Sequence, residues 1–148
     1  MTQTGGRYPG WHPGIELRDD WLGLVNEAII DPDREIVDPH HHLWRHGTEE
    51  NPAIYEMDAL WRDTGSGHNV VQTMYIECRS YWDLDAPAHM QSVAETREVT
   101  QMAATAGVGQ ATIAGIIGQT ELVLEPVLLH EALDAHEDAG QGLFKGIR

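Results

Sequence analysis

Short apolar stretches alternate with helical stretches along most of this chain, and that alternation limits the folds it can adopt. Strands are predicted around Ile36 and Val37 and at residues 70–78, 111–117 and 143–147, with helices at 54–63, 86–106 and 125–139. Strand starts about 30 to 40 residues apart are typical of βαβ units. The order predicts an α/β fold with a parallel sheet and right-handed crossovers. A flavodoxin-like sheet and a barrel would both begin in this way.

The first strand runs directly into three consecutive histidines. Residues 35–44 read E-I-V-D-P-H-H-H-L-W. In extended backbone, alternate side chains share a face, so His40 and His42 are expected to point one way and His41 the other. Two neutral imidazoles on one face can bind a single divalent cation, and Asp38 has the parity to join or orient them. The alternative is an ordinary polar surface at a strand end.

This stretch resembles the Asp-x-His-x-His signature on the first strand of the amidohydrolase-related family, which is filled here by Asp38, His40 and His42. Further similarities extend over most of the chain from about residue 28, at residues 67–73, 76–78, 114–118, 135–136 and 144–148. The branch it is similar to contains sugar-lactone and dicarboxylate-lactone hydrolases. The resemblance implies metal-dependent hydrolysis on a TIM barrel.

A complete TIM (β/α)8 barrel takes roughly 250 residues, and this chain has 148. The resemblance therefore implies the N-terminal half of a barrel, truncated after the fourth strand at Arg148. Residues 1–34 are expected to form an N-terminal extension with a short helix within residues 16–29, and residues 35–148 the partial barrel domain. The chain from Trp44 to Pro52 is expected to be a long loop on the functional face of the barrel.

The resemblance implies hydrolysis of a lactone, or a related ester or amide, by metal- or carboxylate-activated water. His40 and His42 would bind zinc or manganese, with Asp38 and Glu77 as catalytic carboxylates. The expected substrate-binding residues are Trp44, Arg79 and Arg148. Glu77 has a structural alternative, namely an ion pair with a nearby arginine such as Arg79.

Two other functions remain open at this point. In the first, the chain is an incomplete or inactive barrel that needs the missing C-terminal half or a partner chain, and its open sheet edges pair with another chain or with a second copy of itself. Decarboxylation by a member of the same superfamily would use the same metal ligands on another substrate. His130 and His136, six residues apart on a predicted helix, form no metal motif and are expected to be structural or exposed.

Composition excludes several partners. Acidic residues number 24 against nine Lys plus Arg, and a formal charge of −15 argues against nucleic acids and anionic membranes. The single cysteine, Cys78, excludes an intrachain disulfide and a Cys-rich zinc site. No signal-peptide or membrane-spanning pattern is present, so a cytoplasmic protein acting on a small molecule is expected.

Overall fold

The chain has an α/β fold built on a four-stranded, all-parallel sheet, as the alternation of strands and helices predicts. The computed structural model describes residues 19–25, 27–47 and 52–148. The strands are β1 (Glu35–His41), β2 (Trp44–Gly47), β3 (Pro52–Tyr55), β4 (Asn69–Ile76), β5 (Thr112–Gly118) and β6 (Phe144–Ile147). The helices are α1 (Asp19–Leu22), α2 (Met57–Thr64), α3 (Val93–Ala103) and α4 (Pro126–Gly140). None of these helices in the described ranges is long and apolar enough to cross a membrane.

The strands of the large sheet lie side by side in chain order, β1-β4-β5-β6. A flavodoxin-like sheet would place its first strand between the second and the third. Here β1 lies at one edge instead, and β6 lies at the other. Within the described residues the four strands form an open sheet, so the predicted half-barrel remains a prediction.

One face of the sheet carries the helices and the main apolar core. Leu60 of α2 and Val99 of α3 are buried in the same cluster as Tyr75 of β4 and Ile116 of β5. These strands are apolar and β-branched, which suits a surface covered by helices. Helix α3 also packs against α4. The three longer helices therefore share one face of the sheet.

The segment after β1 differs from the predicted loop. Residues Trp44–Gly47 form β2, which pairs antiparallel with β3, and Trp44 lies opposite Tyr55 with their rings stacked at 5.0 Å. Because Ile54 and Tyr55 are held in this hairpin, α2 begins at Met57 rather than near Ile54. The prediction of a loop beginning at Trp44 was therefore wrong.

Two predicted helices are shorter than expected. Of the helix predicted at 16–29, the described part forms only α1, and its apolar residues Trp21, Leu24 and Val25 are exposed. Residues 16–18 and 26 lie outside the described ranges. The second predicted helix begins at Val93 instead of residue 86, because the preceding residues form turns such as the bond from the Met90 N–H to the Pro87 carbonyl.

Candidate functional site at the carboxyl edge of the sheet

The carboxyl ends of the four parallel strands meet at one edge of the sheet, where α/β proteins commonly bind ligands. His40 and His42 lie at the end of β1, and Glu77 follows β4 directly. Arg148 follows β6, and its backbone N–H donates to the Gly118 carbonyl at the end of β5. Parallel pairing thus brings Arg148 into contact with Glu77, 71 positions earlier in the chain.

The rings of His40 and His42 approach each other through their Nε2 atoms. Their Nε2 atoms are 3.2 Å apart, and the rings meet edge to face with centroids 4.9 Å apart. The Nδ1 atom of His42 lies 2.7 Å from the Ile76 carbonyl oxygen. Since that oxygen only accepts hydrogen bonds, Nδ1 carries a proton, and the Nε2 of neutral His42 has a free lone pair.

This pair fits two positions of a metal ligand set. Two nitrogen ligands of a tetrahedral zinc ion lie about 3.3 Å apart, because each Zn–N bond is about 2.0–2.1 Å long. The orientation of His42 by a backbone carbonyl is also typical of metal-binding histidines. Among the described residues, however, no group of three His, Cys, Asp or Glu side chains lies close enough to hold a metal. The residues present therefore provide part of a site.

Asp38 acts on the backbone of this pair. Its Oδ1 accepts a hydrogen bond of 3.0 Å from the His40 backbone N–H. The strand is irregular at this point, since its register against β4 shifts between Asp38 and His41. Asp38 thus stabilises the bend from which the two histidines project.

The middle histidine has the opposite environment. His41 is 7% exposed and packs edge to face on Tyr75, with ring centroids 5.7 Å apart. Both of its ring nitrogens are buried without a hydrogen-bond partner among the described residues. Burial lowers its pKa to about 4, against the opposing charge of Asp38, so the ring is neutral at physiological pH. His41 anchors the strand end and does not face its neighbours' pair.

Glu77 is paired with Arg148 rather than with Arg79. The Arg148 Nε donates to Glu77 Oε1 at 3.0 Å, and its Nη2 donates to the Glu77 carbonyl at 3.2 Å. The other carboxylate oxygen, Oε2, is buried without a hydrogen-bond partner among the described residues. About half of the Arg148 side chain is exposed, at 51%. The pair thus combines a buried acceptor with an accessible guanidinium group.

The two other predicted substrate-binding residues, Trp44 and Arg79, have aromatic partners of their own. Trp44 stacks on Tyr55 in the β2–β3 hairpin and is half-buried. The Arg79 guanidinium lies over the Trp82 ring, 5.1 Å from its centroid, and Arg79 itself is exposed. Neither residue is joined to the His40–His42 pair by a direct contact that would assign it to the same site.

Two acidic residues near this edge were not singled out in the sequence. Glu56 binds Arg45 at 2.9 and 2.6 Å and accepts from the Tyr81 hydroxyl at 3.1 Å, which ties the hairpin to the loop after β4. Glu95 of α3 is almost fully buried beneath the same loop. Its position four residues before Val99 and seven before Met102 was the available signal, because that spacing places a charge on the apolar, inward face of the helix.

The histidines of α4 have different environments. His130 is exposed, whereas His136 is fully buried against the stacked ring of Phe144. Its nitrogens contact the Gln119 carbonyl at 3.0 Å and the Thr96 hydroxyl at 2.8 Å. These contacts give His136 a role in joining α3, α4 and the end of β5.

Comparisons with known protein families, with curated proteins and with solved structures found no match to this chain. The fold and the geometry described above are therefore the only basis for assigning a function. The amidohydrolase resemblance rests on the motifs in the sequence and stays a prediction.

Proposed function

We propose that this chain carries part of the active site of an amidohydrolase-type hydrolase that opens lactones or related esters and amides. The observation that carries the proposal is the pair of Nε2 atoms of His40 and His42, which lie 3.2 Å apart at the carboxyl edge of a parallel sheet. In the metal-free chain the His40 Nε2–H can donate to the lone pair of His42 Nε2 at this distance, and a bound cation would take the place of that proton.

His40 and His42 would hold a divalent cation, zinc or manganese, which supplies Lewis acidity toward the substrate carbonyl when bound. The Ile76 carbonyl fixes the tautomer of His42, and Asp38 fixes the backbone of His40. Catalytic zinc sites have three protein ligands. The proposal therefore requires at least one further ligand from residues outside the described ranges or from another chain.

Glu77 is proposed to accept a proton from the attacking water at Oε2. That oxygen has no partner among the described residues, while Arg148 holds the other oxygen in place. A carboxylate so fixed can act as a general base once water reaches it. The exposed guanidinium groups of Arg148 and Arg79 would bind a carboxylate on the substrate, because arginine suits bidentate recognition of carboxylates.

The test combines metal binding with turnover. The purified chain is titrated with zinc and with manganese by calorimetry, and then assayed against a panel of sugar lactones and dicarboxylate lactones. We expect His40→Ala and His42→Ala each to weaken metal binding by at least about tenfold and to abolish metal-dependent turnover. The matched control is His130→Ala, which removes an exposed histidine from α4. If both site variants keep full affinity and activity, the ligand assignment is wrong.

A second function is favoured by the open edges of the sheet. Strands β1 and β6 each have a neighbour on only one side within the described part of the chain. Unpaired strand edges are sites where another chain can add strands. In this alternative the chain is an incomplete barrel that becomes active, or serves a binding role, only with a partner or a second copy. Decarboxylation, the remaining alternative, would be recognised by release of carbon dioxide when carboxylic acids replace lactones in the assay.

A further inference from the structure

The loop after β4, residues 77–82, is attached to a buried carboxylate of the neighbouring helix. Glu95 of α3 is 2% exposed. Its Oε1 accepts from the backbone N–H groups of Cys78 and Ser80, at 3.3 and 2.9 Å, and from the Tyr75 hydroxyl at 2.8 Å. The Cys78 thiol lies 3.8 Å from the same oxygen, so four groups from β4 and the loop converge on it.

The second oxygen of Glu95 is bound in the same way. Its Oε2 accepts from the backbone N–H of Arg79 at 3.2 Å and from the indole N–H of Trp82 at 3.1 Å. Arg79 has a φ of 62°, in the left-handed region that residues other than glycine rarely adopt. This conformation turns three successive N–H groups toward one point, which forms an anion-binding nest. Here the protein's own carboxylate occupies the nest.

The donors around Glu95 require both of its side-chain oxygens to accept hydrogen bonds. Backbone and indole N–H groups can only donate, and each oxygen of Glu95 faces at least one of them. An amide in place of the carboxylate would turn its NH2 group toward one of these sets of donors. The loop would then lose those hydrogen bonds and leave buried N–H groups unsatisfied.

We propose that Glu95 is a positioning residue, whose carboxylate holds residues 78–82 in the conformation that presents Arg79 to substrate at the carboxyl edge of the sheet. The role in catalysis rests on the hydrolase function proposed above, whereas the hold on the loop does not. Glu95 does not position Glu77, because the Glu77 backbone N–H donates to the Ile117 carbonyl and its carboxylate accepts from Arg148. Glu95 is therefore expected to affect substrate binding more than the chemical step.

The chain contains a single cysteine, Cys78, and it lies in this loop, so thiol labelling has a single site. Because the Cys78 thiol also contacts Glu95 Oε1 at 3.8 Å, loss of the carboxylate charge alone can speed alkylation, and hydrogen exchange in residues 77–82 is the measurement that isolates the loop. The Cys78 thiol contacts the Leu43 carbonyl at 3.2 Å, and burial raises its pKa. We expect Glu95→Gln to speed alkylation of Cys78 by iodoacetamide at least about tenfold over the wild type. Each rate is divided by the rate for the same chain unfolded in urea. Hydrogen exchange should rise in residues 77–82 and stay unchanged in α4.

The matched control removes one charge from the same helix without touching the loop. Glu98→Gln should label within about twofold of the wild-type rate, because no hydrogen bond joins Glu98 to residues 77–82. Glu95→Asp keeps both acceptor oxygens on a shorter side chain and should restore part of the protection. If Glu95→Gln labels as slowly as wild type, the proposal is overturned.

Kinetics separate positioning from a general loss of stability. With a lactone that the wild-type protein hydrolyses, Glu95→Gln should raise KM about tenfold or more and leave kcat within about threefold. A merely structural role would lower the folded fraction, and hence the apparent kcat, at an unchanged KM, and that result would count against positioning. Faster labelling together with faster hydrogen exchange in residues 77–82, but without turnover of any lactone by any variant, would remove the proposed hydrolase and support the role of Glu95 in holding the loop.

A further variant covers the case in which Glu95→Gln does not fold. Trp82→Phe deletes one donor to Glu95 and leaves the carboxylate and the backbone intact. Alkylation of Cys78 should then speed by about threefold, and an unchanged rate would contradict the proposal.

Discussion

His136 is a single residue whose protonation bears on the stability of the whole fold. Its Nε2 lies 3.0 Å from the Gln119 carbonyl, which can only accept, so that nitrogen carries the proton and Nδ1 accepts from the Thr96 hydroxyl at 2.8 Å. Burial lowers the pKa of His136 below its ordinary value of 6.5. The folded chain therefore binds fewer protons than the unfolded chain as pH falls below that value.

The consequence is a pH-dependent free energy of unfolding. The contribution of His136 is fully present above about pH 6.5 and is lost as pH falls toward the lowered pKa. His136→Leu should cost about 1–3 kcal/mol at pH 7.5, because two buried hydrogen bonds are lost, and should make stability less sensitive to pH. Urea unfolding at about pH 7.5 and pH 5 measures both effects.

The control for this prediction is the other histidine on α4. His130→Leu should change stability by less than about 0.5 kcal/mol at either pH, because His130 is exposed. Some pH dependence should persist in His136→Leu, since His41 has a pKa lowered to about 4. An unchanged pH dependence in His136→Leu would show that this ring does not control acid sensitivity.

At the scale of helices and strands, apolar periodicity predicted most of the sheet. The last three strands of the sheet begin and end within two residues of the predicted bounds, because continuous apolar runs signal buried strands. The β2–β3 hairpin was not predicted, because its two short strands are stabilised by pairing with each other and neither has an apolar pattern of its own. The site divides in the same way: the histidine pair was expected from alternation, whereas the Glu77–Arg148 pair and the buried Glu95 depend on tertiary contacts.

The junction between α4 and β6 gives a prediction at this scale. A Cβ added to Gly140 would lie 2.6 Å from the Cβ of Phe144, an atom fixed to the backbone of β6. Gly→Ala inside a helix normally gains about 1 kcal/mol, but overpacking costs about 1–3 kcal/mol. We expect Gly140→Ala to destabilise the protein by up to about 2 kcal/mol, measured by urea unfolding.

Gly115→Ala is the comparison for this effect. The Cβ built at Gly115 also lies 2.6 Å from a neighbour, but that atom is the terminal Cε of Met74, which can move. Its cost should therefore be smaller than that of Gly140→Ala. A gain in stability from Gly140→Ala would mean that β6 yields easily at this junction.

At the scale of the whole molecule, two features oppose each other: the sheet edges at β1 and β6, which have no neighbouring strand among the described residues, and a large negative charge. Strand β1 is an edge strand and exposes 53% of Val37, which favours pairing with another chain. A formal charge of −15 opposes contact between two copies. Salt screens such repulsion, so any association through the edges should strengthen as ionic strength rises.

Sedimentation at protein concentrations from about 1 to 100 µM tests this expectation. The wild-type chain should self-associate, and more strongly at about 0.5 M salt. Val37→Lys should shift association to at least about tenfold higher concentration, because an edge lysine opposes strand pairing. Val108→Lys, at a fully exposed turn residue, should have no effect. If the chain is monomeric under all conditions, the incomplete barrel does not pair with a second copy of itself.

The bond between Arg148 and Glu77 has a further mechanical meaning. Arg148 is fixed to the end of β5 by its backbone and to the end of β4 by its side chain. If β6 slipped along β5 by one residue, Arg148 would move about 3.3 Å and its side chain would turn to the opposite face. The ion pair between Arg148 and Glu77 therefore forms only when β6 is paired with β5 in its native register.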